Sequence, residues 1–186
     1  MSADVLLART GDLSAAELAA LHQLCARAFE IVLDDGARLP FPDVAWDNAC
    51  GGSHAIVTED GVPVAHGSVV PRELHVEDRA LRTGYVEAVA TRSDRRGRGL
   101  GTAIMRALSA EIRARFELGA LDTSVHGFYE RLGWERWLGP TFVRTEAAVV
   151  ATPEKNGSVM ILRTRSSPRL DLEAPISCEW RPGNVW

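Results

Sequence analysis

A carboxylate and a run of glycines and arginines stand close together in the middle of this sequence. Glu87 lies inside the apolar stretch Gly84–Thr91, and the turn Arg96-Gly97-Arg98-Gly99-Leu100-Gly101 follows it. Glycines at alternate positions let backbone N–H groups converge on a phosphate without Cβ obstruction, with a helix N-terminus behind them. A P-loop does not fit, because it needs Gly, four residues and then Gly-Lys-Ser/Thr. A dinucleotide fingerprint does not fit either, because it needs Gly-x-Gly-x-x-Gly with an acid about 20 residues on. Arg92, Arg95, Arg96 and Arg98 read as phosphate partners or as a solvated patch. Glu87 poses the second chemical question, since a carboxylate among apolar strand residues is costly to desolvate unless it faces a cleft or a strand edge. Partial burial raises such a group's pKa and fits it to take a proton from an ammonium, directly or through water. Backbone N–H groups near Val89 are placed to polarise a carbonyl.

These groups need a strand, a turn and a helix to position them. Strand periodicity puts Tyr85, Glu87 and Val89 on one face and Val86, Ala88 and Ala90 on the other. After the turn, Leu100, Ile104, Leu108 and Ile112 recur every four residues, which predicts a helix from about Gly99 to Phe116 with one buried stripe. Upstream, Asp4–Arg9 reads as a strand, and Ser14-Ala15-Ala16-Glu17 is a capping box opening a helix that ends near Glu30. Residues 31–52, with Asp34, Asp35, Gly36 and Trp46, read as a long loop holding one short helix. His54–Thr58 and Val62–Val70 flank the turn Glu59-Asp60-Gly61, and Glu73–Glu77 with Ala80–Thr83 suggest a second hairpin. Later come strands at Ala120–Ser124, from Trp134, at Ser158–Thr164 and at Ile176–Trp180, with a helix through Phe128–Leu132. This order predicts an α+β fold: a mixed, mostly antiparallel sheet with helices on both faces.

The chain has 186 residues, enough for one domain over 1–186 with a full core. Its formal charge of −4 argues against a general nucleic-acid binder and is compatible with a cationic small substrate. No apolar run approaches a membrane span. Cys25, Cys50 and Cys178 are scattered, with no C-x-x-C pair and no secretory signal ahead of them, so a reduced cytoplasmic protein is expected. His22, His54, His66, His75 and His126 show no metal-ligand spacing, and no metal site is expected. A serine triad lacks its Gly-x-Ser-x-Gly elbow, and nothing marks an activated cysteine.

Arg-x-x-Gly-x-Gly after a strand resembles the pyrophosphate-binding signature of the GNAT acyl-CoA N-acyltransferases. Phe128-Tyr129 with Gly133-Trp134 resembles their late signature. Several segments are similar to one GNAT branch, the aminoglycoside 2′-N-acetyltransferases: Trp46 with Gly51-Gly52-Ser53-His54-Ala55, Gly84-Tyr85-Val86-Glu87, Leu118-Gly119-Ala120-Leu121, Trp137 with Gly139-Pro140, and the ending Cys178–Trp186. The resemblance implies acetyl-CoA as donor, held by Val89, Ala90, Thr91, Arg96, Gly97, Arg98, Gly99, Leu100, Gly101 and Thr102. It implies Glu87 as base and Tyr129 as acid to the departing thiolate, although Phe128 and Tyr129 also read as core aromatics. It implies Trp46, Glu87, Ala88, Asp122, Lys155, Asn184 and the terminal carboxylate of Trp186 at an aminoglycoside, and a homodimer.

Departures from that pattern alter the charge balance. Ala28–Asp35 replaces a family segment that normally supplies an acid. Lys155 stands where a carboxylate is expected, Asn184 where an aspartate is expected, and Asp122 at a position commonly serine. Fewer acids and one more lysine disfavour a polyammonium acceptor, and Lys155 could pair with a substrate carboxylate. The expected acceptor is therefore an acid-bearing aminoglycoside of the kasugamycin type. The alternatives are another small amine or a protein N-terminus, or a non-catalytic acyl-CoA-binding module.

Overall fold

The computed structural model describes residues 4–34 and 37–186, so Asp35 and Gly36 of the expected loop lie outside the described residues. In chain order the elements are β1 (Leu6–Arg9), α1 (Ala15–Ala28), β2 (Ile31–Val32), β3 (Arg38–Leu39), α2 (Asp43–Ala49), β4 (Ser53–Glu59), β5 (Val62–Val76) and β6 (Arg79–Thr91). There follow α3 (Leu100–Arg115), β7 (Leu118–Asp122), α4 (His126–Glu130), β8 (Glu135–Arg136), β9 (Thr141–Arg144), β10 (Val149–Ala151), β11 (Val159–Arg163) and β12 (Ile176–Glu179). The chain divides into two compact units, Met1–Val70 with Val86–Leu108, and Pro71–Tyr85 with Ser109–Trp186. Strands β5 and β6 and helix α3 each run from one unit into the other.

In the first unit β4 is central, with β1 antiparallel on one side and β5 on the other. Ser53 through Val57 are all buried, so both faces of β4 are covered. The capping box forms as expected: Ser14 Oγ accepts from the Glu17 N–H, while the Glu17 carboxylate takes the Ser14 N–H at 2.8 Å. This satisfies donors that the first turn of α1 would otherwise leave open. The α3 stripe also holds, with Leu100, Ile104, Leu108 and Ile112 all buried. Helix and sheet approach closely at Gly67, where a Cβ would lie 2.8 Å from Ile104 Cγ2 and 3.0 Å from Leu108 Cδ1.

In the second unit β12 pairs parallel with β9 and antiparallel with the far end of β5, and β10 lies antiparallel on β9. Residues Thr83–Tyr85 of β6 pair parallel with β7, which is antiparallel to β11, and β11 carries β8. The sheet is thus mixed and mostly antiparallel, and the protein is of the α+β class. Trp137 is fully buried, and its indole N–H donates to the Ala174 carbonyl at 2.9 Å.

Two expected breaks are absent and four short strands were not expected, β2 and β3, which pair within the expected loop 31–52, and β9 and β10. Strand β5 runs straight through Pro71, because the proline sits at an exposed position while Arg72, Leu74 and Val76 turn inward. Strand β6 likewise joins Ala80–Thr83 to Gly84–Thr91. Strands β9 and β10 lie beyond Gly139-Pro140, after which a new strand starts at Thr141.

Candidate active site

Within the first unit, β6 does not keep its expected alternation. Ala88 has φ +50°, a left-handed conformation that costs a residue with a Cβ about 1 kcal/mol. Beyond it the two-face pattern is lost: Glu87, Ala88 and Val89 are all half-buried, and Ala90 is buried. The expectation that Glu87 and Val89 share a face is corrected by this bulge-like turn. Side chains of neighbouring elements meet the displaced carbonyls. His66 Nδ1 lies 2.9 Å from the Ala88 oxygen, Cys25 Sγ lies 3.8 Å from the same oxygen, and Ser68 Oγ donates to the Glu87 carbonyl at 3.5 Å.

His66 is joined to His54 at 2.9 Å, and His54 to Thr10 Oγ1 at 2.9 Å. Burial holds both imidazoles below their ordinary pKa, that of His66 at about 3. Trp46, expected at the acceptor, tilts over both rings and stacks on His22 at 5.3 Å. It also packs against the apolar group of Leu24, Cys25 and Ala90. Burial raises the Cys25 thiol to about 12, so it is a neutral packing group.

The turn after β6 relies on two glycines in the left-handed region. Gly97 and Gly99 have φ +76° and +79°, and a Cβ at either would meet nothing within 4 Å. Ala103 N–H makes the first helical bond to the Gly99 carbonyl, so the N–H groups of Leu100, Gly101 and Thr102 belong to the helix's open first turn. Arg96 and Arg98 are exposed beside it. Arg92 and Arg95, by contrast, are engaged with Asp94 at 2.6 and 2.9 Å, and Arg95 also with Glu59 at 2.6 Å.

The second unit holds the remaining expected residues. Tyr129 on α4 is buried edge-on against Phe128 and Trp134, and burial raises its phenol to about 12. Asp122 at the end of β7 accepts from Lys155 Nζ at 2.5 Å and from Asn184 Nδ2 at 3.4 Å. Burial works against the Asp122 charge, but hydrogen bonds from Lys155 and Ser158, the Lys155 charge and Asn184 bring its pKa below the usual carboxylate value. The charge of Lys155, expected to meet a substrate acid, is therefore answered inside the protein.

The segment carrying Asn184 and Trp186 is gripped by Arg72. This buried guanidinium donates to Glu179 Oε1 at 2.8 Å, to the Glu179 carbonyl at 2.9 Å and to the Val185 carbonyl at 2.8 Å, and it lies over the Tyr85 ring. The Trp186 indole is buried and donates to Thr152 Oγ1 at 3.0 Å. Sequence reasoning missed Arg72 and the His54–His66 pair. A signal for the histidines existed: in the β4–β5 register Ile56 faces His66 and His54 faces Ser68, which makes the two imidazoles diagonal neighbours.

A bulged strand running into a glycine cradle at a helix start defines an acyl-CoA transferase architecture. Residues 11–137 match the acetyltransferase (GNAT) domain model, and the chain belongs to that family of acetyl-CoA-dependent N-acetyltransferases. Over 150 residues, 78% of this chain and 77% of the relative, it is 45% identical to the aminoglycoside 2′-N-acetyltransferase of Mycolicibacterium fortuitum. Among solved structures, the GNAT N-acetyltransferase YhbS of Escherichia coli, in complex with CoA, superposes with a TM-score of 0.65 at 13% identity, covering 97% of this chain and 92% of that one. A GCN5-related N-acetyltransferase of Kribbella flavida matches at a TM-score of 0.57 and 20% identity over 75% of this chain. The chain spans only 34% of that larger protein. No helix among the described residues is long and apolar enough to cross a membrane.

Proposed function

We propose that this chain is an aminoglycoside 2′-N-acetyltransferase that moves an acetyl group from acetyl-CoA directly to a sugar amine. The observation that carries the reading is the 45% identity to an aminoglycoside 2′-N-acetyltransferase over most of both chains. In this reading the pyrophosphate lies on the N–H groups of Gly97–Thr102 with Arg96 and Arg98 beside it. Val89, Ala90 and Thr91 hold the pantetheine arm. Bound acetyl-CoA supplies a thioester carbonyl open to attack by a neutral amine.

Glu87 takes the ammonium proton, directly or through water, and frees the amine lone pair. The Val89 N–H polarises the carbonyl as the C–N bond forms and the C–S bond breaks. Tyr129 gives its proton to the departing thiolate and regains one from the acylated nitrogen, which must shed it as the neutral amide forms. Burial raises its phenol to about 12, so it is protonated at neutral pH but is a weaker acid than a free phenol. Trp46, Glu87, Ala88, Asp122, Lys155, Asn184 and Trp186 are the residues this proposal assigns to the acceptor.

The acceptor is an acid-bearing aminoglycoside of the kasugamycin type. What supports this is that the Asp122 carboxylate, already matched by Lys155 and Asn184, offers no free anion to a polyammonium substrate. The paired Lys155 supports fewer ammonium groups on the acceptor and does not itself call for a substrate acid. The decisive measurement is CoA-thiol release with kasugamycin, tobramycin and kanamycin at equal concentration. Turnover with kasugamycin above the other two is expected, and preference for the polyamines refutes the acceptor assignment. Absence of turnover with every aminoglycoside refutes the wider reading. A homodimer in the cytoplasm belongs to the same proposal. Val149 and Val150, exposed on the sheet-edge strand β10, are suited to a second copy, and light scattering at the monomer mass removes this part.

A further inference from the structure

The hydrogen bonds that reach Ala88 form a chain with one consistent direction. The Ala88 carbonyl can only accept, so His66 Nδ1 at 2.9 Å carries a proton. A neutral His66 then presents Nε2 as an acceptor, and His54 Nδ1 at 2.9 Å must donate to it. His54 Nε2 is left as an acceptor in turn. Thr10 Oγ1 donates to it at 2.9 Å while accepting from the Gly51 N–H at 2.9 Å. The Thr10 hydroxyl has another acceptor in the Gly52 carbonyl, but at the longer distance of 3.3 Å. Every nitrogen of both buried rings is matched in this arrangement, and burial keeps both rings neutral at physiological pH.

The carbonyl so held shares a peptide with a second group. The Ala88 C=O and the Val89 N–H belong to one planar trans unit, because there is no cis peptide bond among the described residues, and they point in opposite directions. Fixing the oxygen on the His66 side therefore fixes the N–H on the other side. We propose that His66 is a positioning residue for acetyl transfer: its Nδ1–H locks the Ala88–Val89 peptide in its left-handed turn, and His54 with Thr10 enforces the tautomer that makes Nδ1 the donor. The inference rests on the reading that the Val89 N–H polarises the thioester carbonyl. It assigns the buried histidine pair, remote in sequence from Glu87, a part in the reaction.

Two measurements test it. The first is long-range proton–nitrogen NMR of the histidine rings in the full chain without substrates. Protonated Nδ1 and bare Nε2 are expected on both His54 and His66, and a proton on His66 Nε2 overturns the proposal. The second compares His66→Asn, whose amide N–H stands near the Nδ1 position, with His66→Gln, whose amide reaches the Nε2 position. At saturating concentrations of both substrates, and with the folded fraction matched, kcat of His66→Asn is expected within about threefold of the parent. That of His66→Gln is expected to fall roughly tenfold or more, with KM for acetyl-CoA nearly unchanged. Equal kcat for the two variants, or Gln above Asn, overturns it. Glu87→Gln is run in the same assay. If it loses turnover while the His66 pair shows no contrast, only the positioning role falls; if it keeps turnover, the Glu87 carboxylate leaves the mechanism and the positioning role still stands or falls on the His66 contrast.

Discussion

Two polar clusters, one in each unit, meet burial by opposite means. Thr10, His54 and His66 form a neutral, directional chain whose every donor has an acceptor, ending on a main-chain carbonyl. Asp122, Lys155 and Asn184 form a charged knot in which an ammonium and an amide answer one carboxylate. A neutral chain fixes direction and tautomer, so it suits the task of holding a peptide in place. An ion pair fixes charge, so it suits the task of deciding which ammonium groups find an anion. The comparison separates a cluster that fixes a direction from one that balances a charge.

The largest effect expected in breaking this division is on rate. Glu87→Gln should lower kcat by about a hundredfold or more while acetyl-CoA binding, read by calorimetry, is retained. Unchanged turnover would remove the carboxylate from the mechanism. Next comes Lys155→Met, which strands a mostly buried Asp122 and should lower unfolding free energy by roughly 2–3 kcal/mol in urea titration. Adding Asp122→Asn should recover most of that loss. Failure to recover would mean that Lys155 acts through something other than this pair.

The pH windows of the two clusters sharpen the comparison further. An unfolded histidine takes its proton near 6.5, whereas folded His66 does so only at about 3. The unfolded state therefore binds more protons in between, and stability falls as pH is lowered through 6.5. Between pH 7.5 and 5 the expected loss is roughly 2 kcal/mol, and His66→Asn should flatten it. Folded Asp122 titrates below its ordinary 3.8, so its contribution is intact above that value and is lost only at lower pH. Urea midpoints measured from pH 7.5 to 3 should fall from about 6.5 downward and begin to fall more steeply below 3.8, where Asp122 joins His66, and a flat profile between pH 6.5 and 5 would contradict the assignment. The smallest effect is expected beside His66: Gly67→Ala, pressing a Cβ against Ile104, Leu108 and Val89, should cost about 1 kcal/mol in urea titration.

The parts readable from sequence were those whose physics is local. The capping box at Ser14 and Glu17, the four-residue stripe of α3 and the glycine turn each need only near neighbours, and each stands where expected. The parts that escaped depend on partners distant in the chain. The turn at Ala88 is stabilised by Cys25 and His66, which nothing in Gly84–Thr91 announces, so strict alternation was the natural expectation and failed there. Lys155 looked like a free cation because its answering acid lies on another strand. Pro71 looked like a strand break because its exposed, outward register cannot be read from a proline alone.

The state of the three sulfurs has a practical consequence for how this enzyme is measured. Cys25 and Cys178 are buried with thiols raised by desolvation, and half-buried Cys50 is raised by desolvation and by Asp47. Disulfide and maleimide reagents react with thiolates, so at neutral pH the native protein consumes such reagents slowly. A chromogenic readout of liberated coenzyme therefore carries little background from the catalyst itself, and any fast burst of reagent uptake reports molecules that have lost their fold.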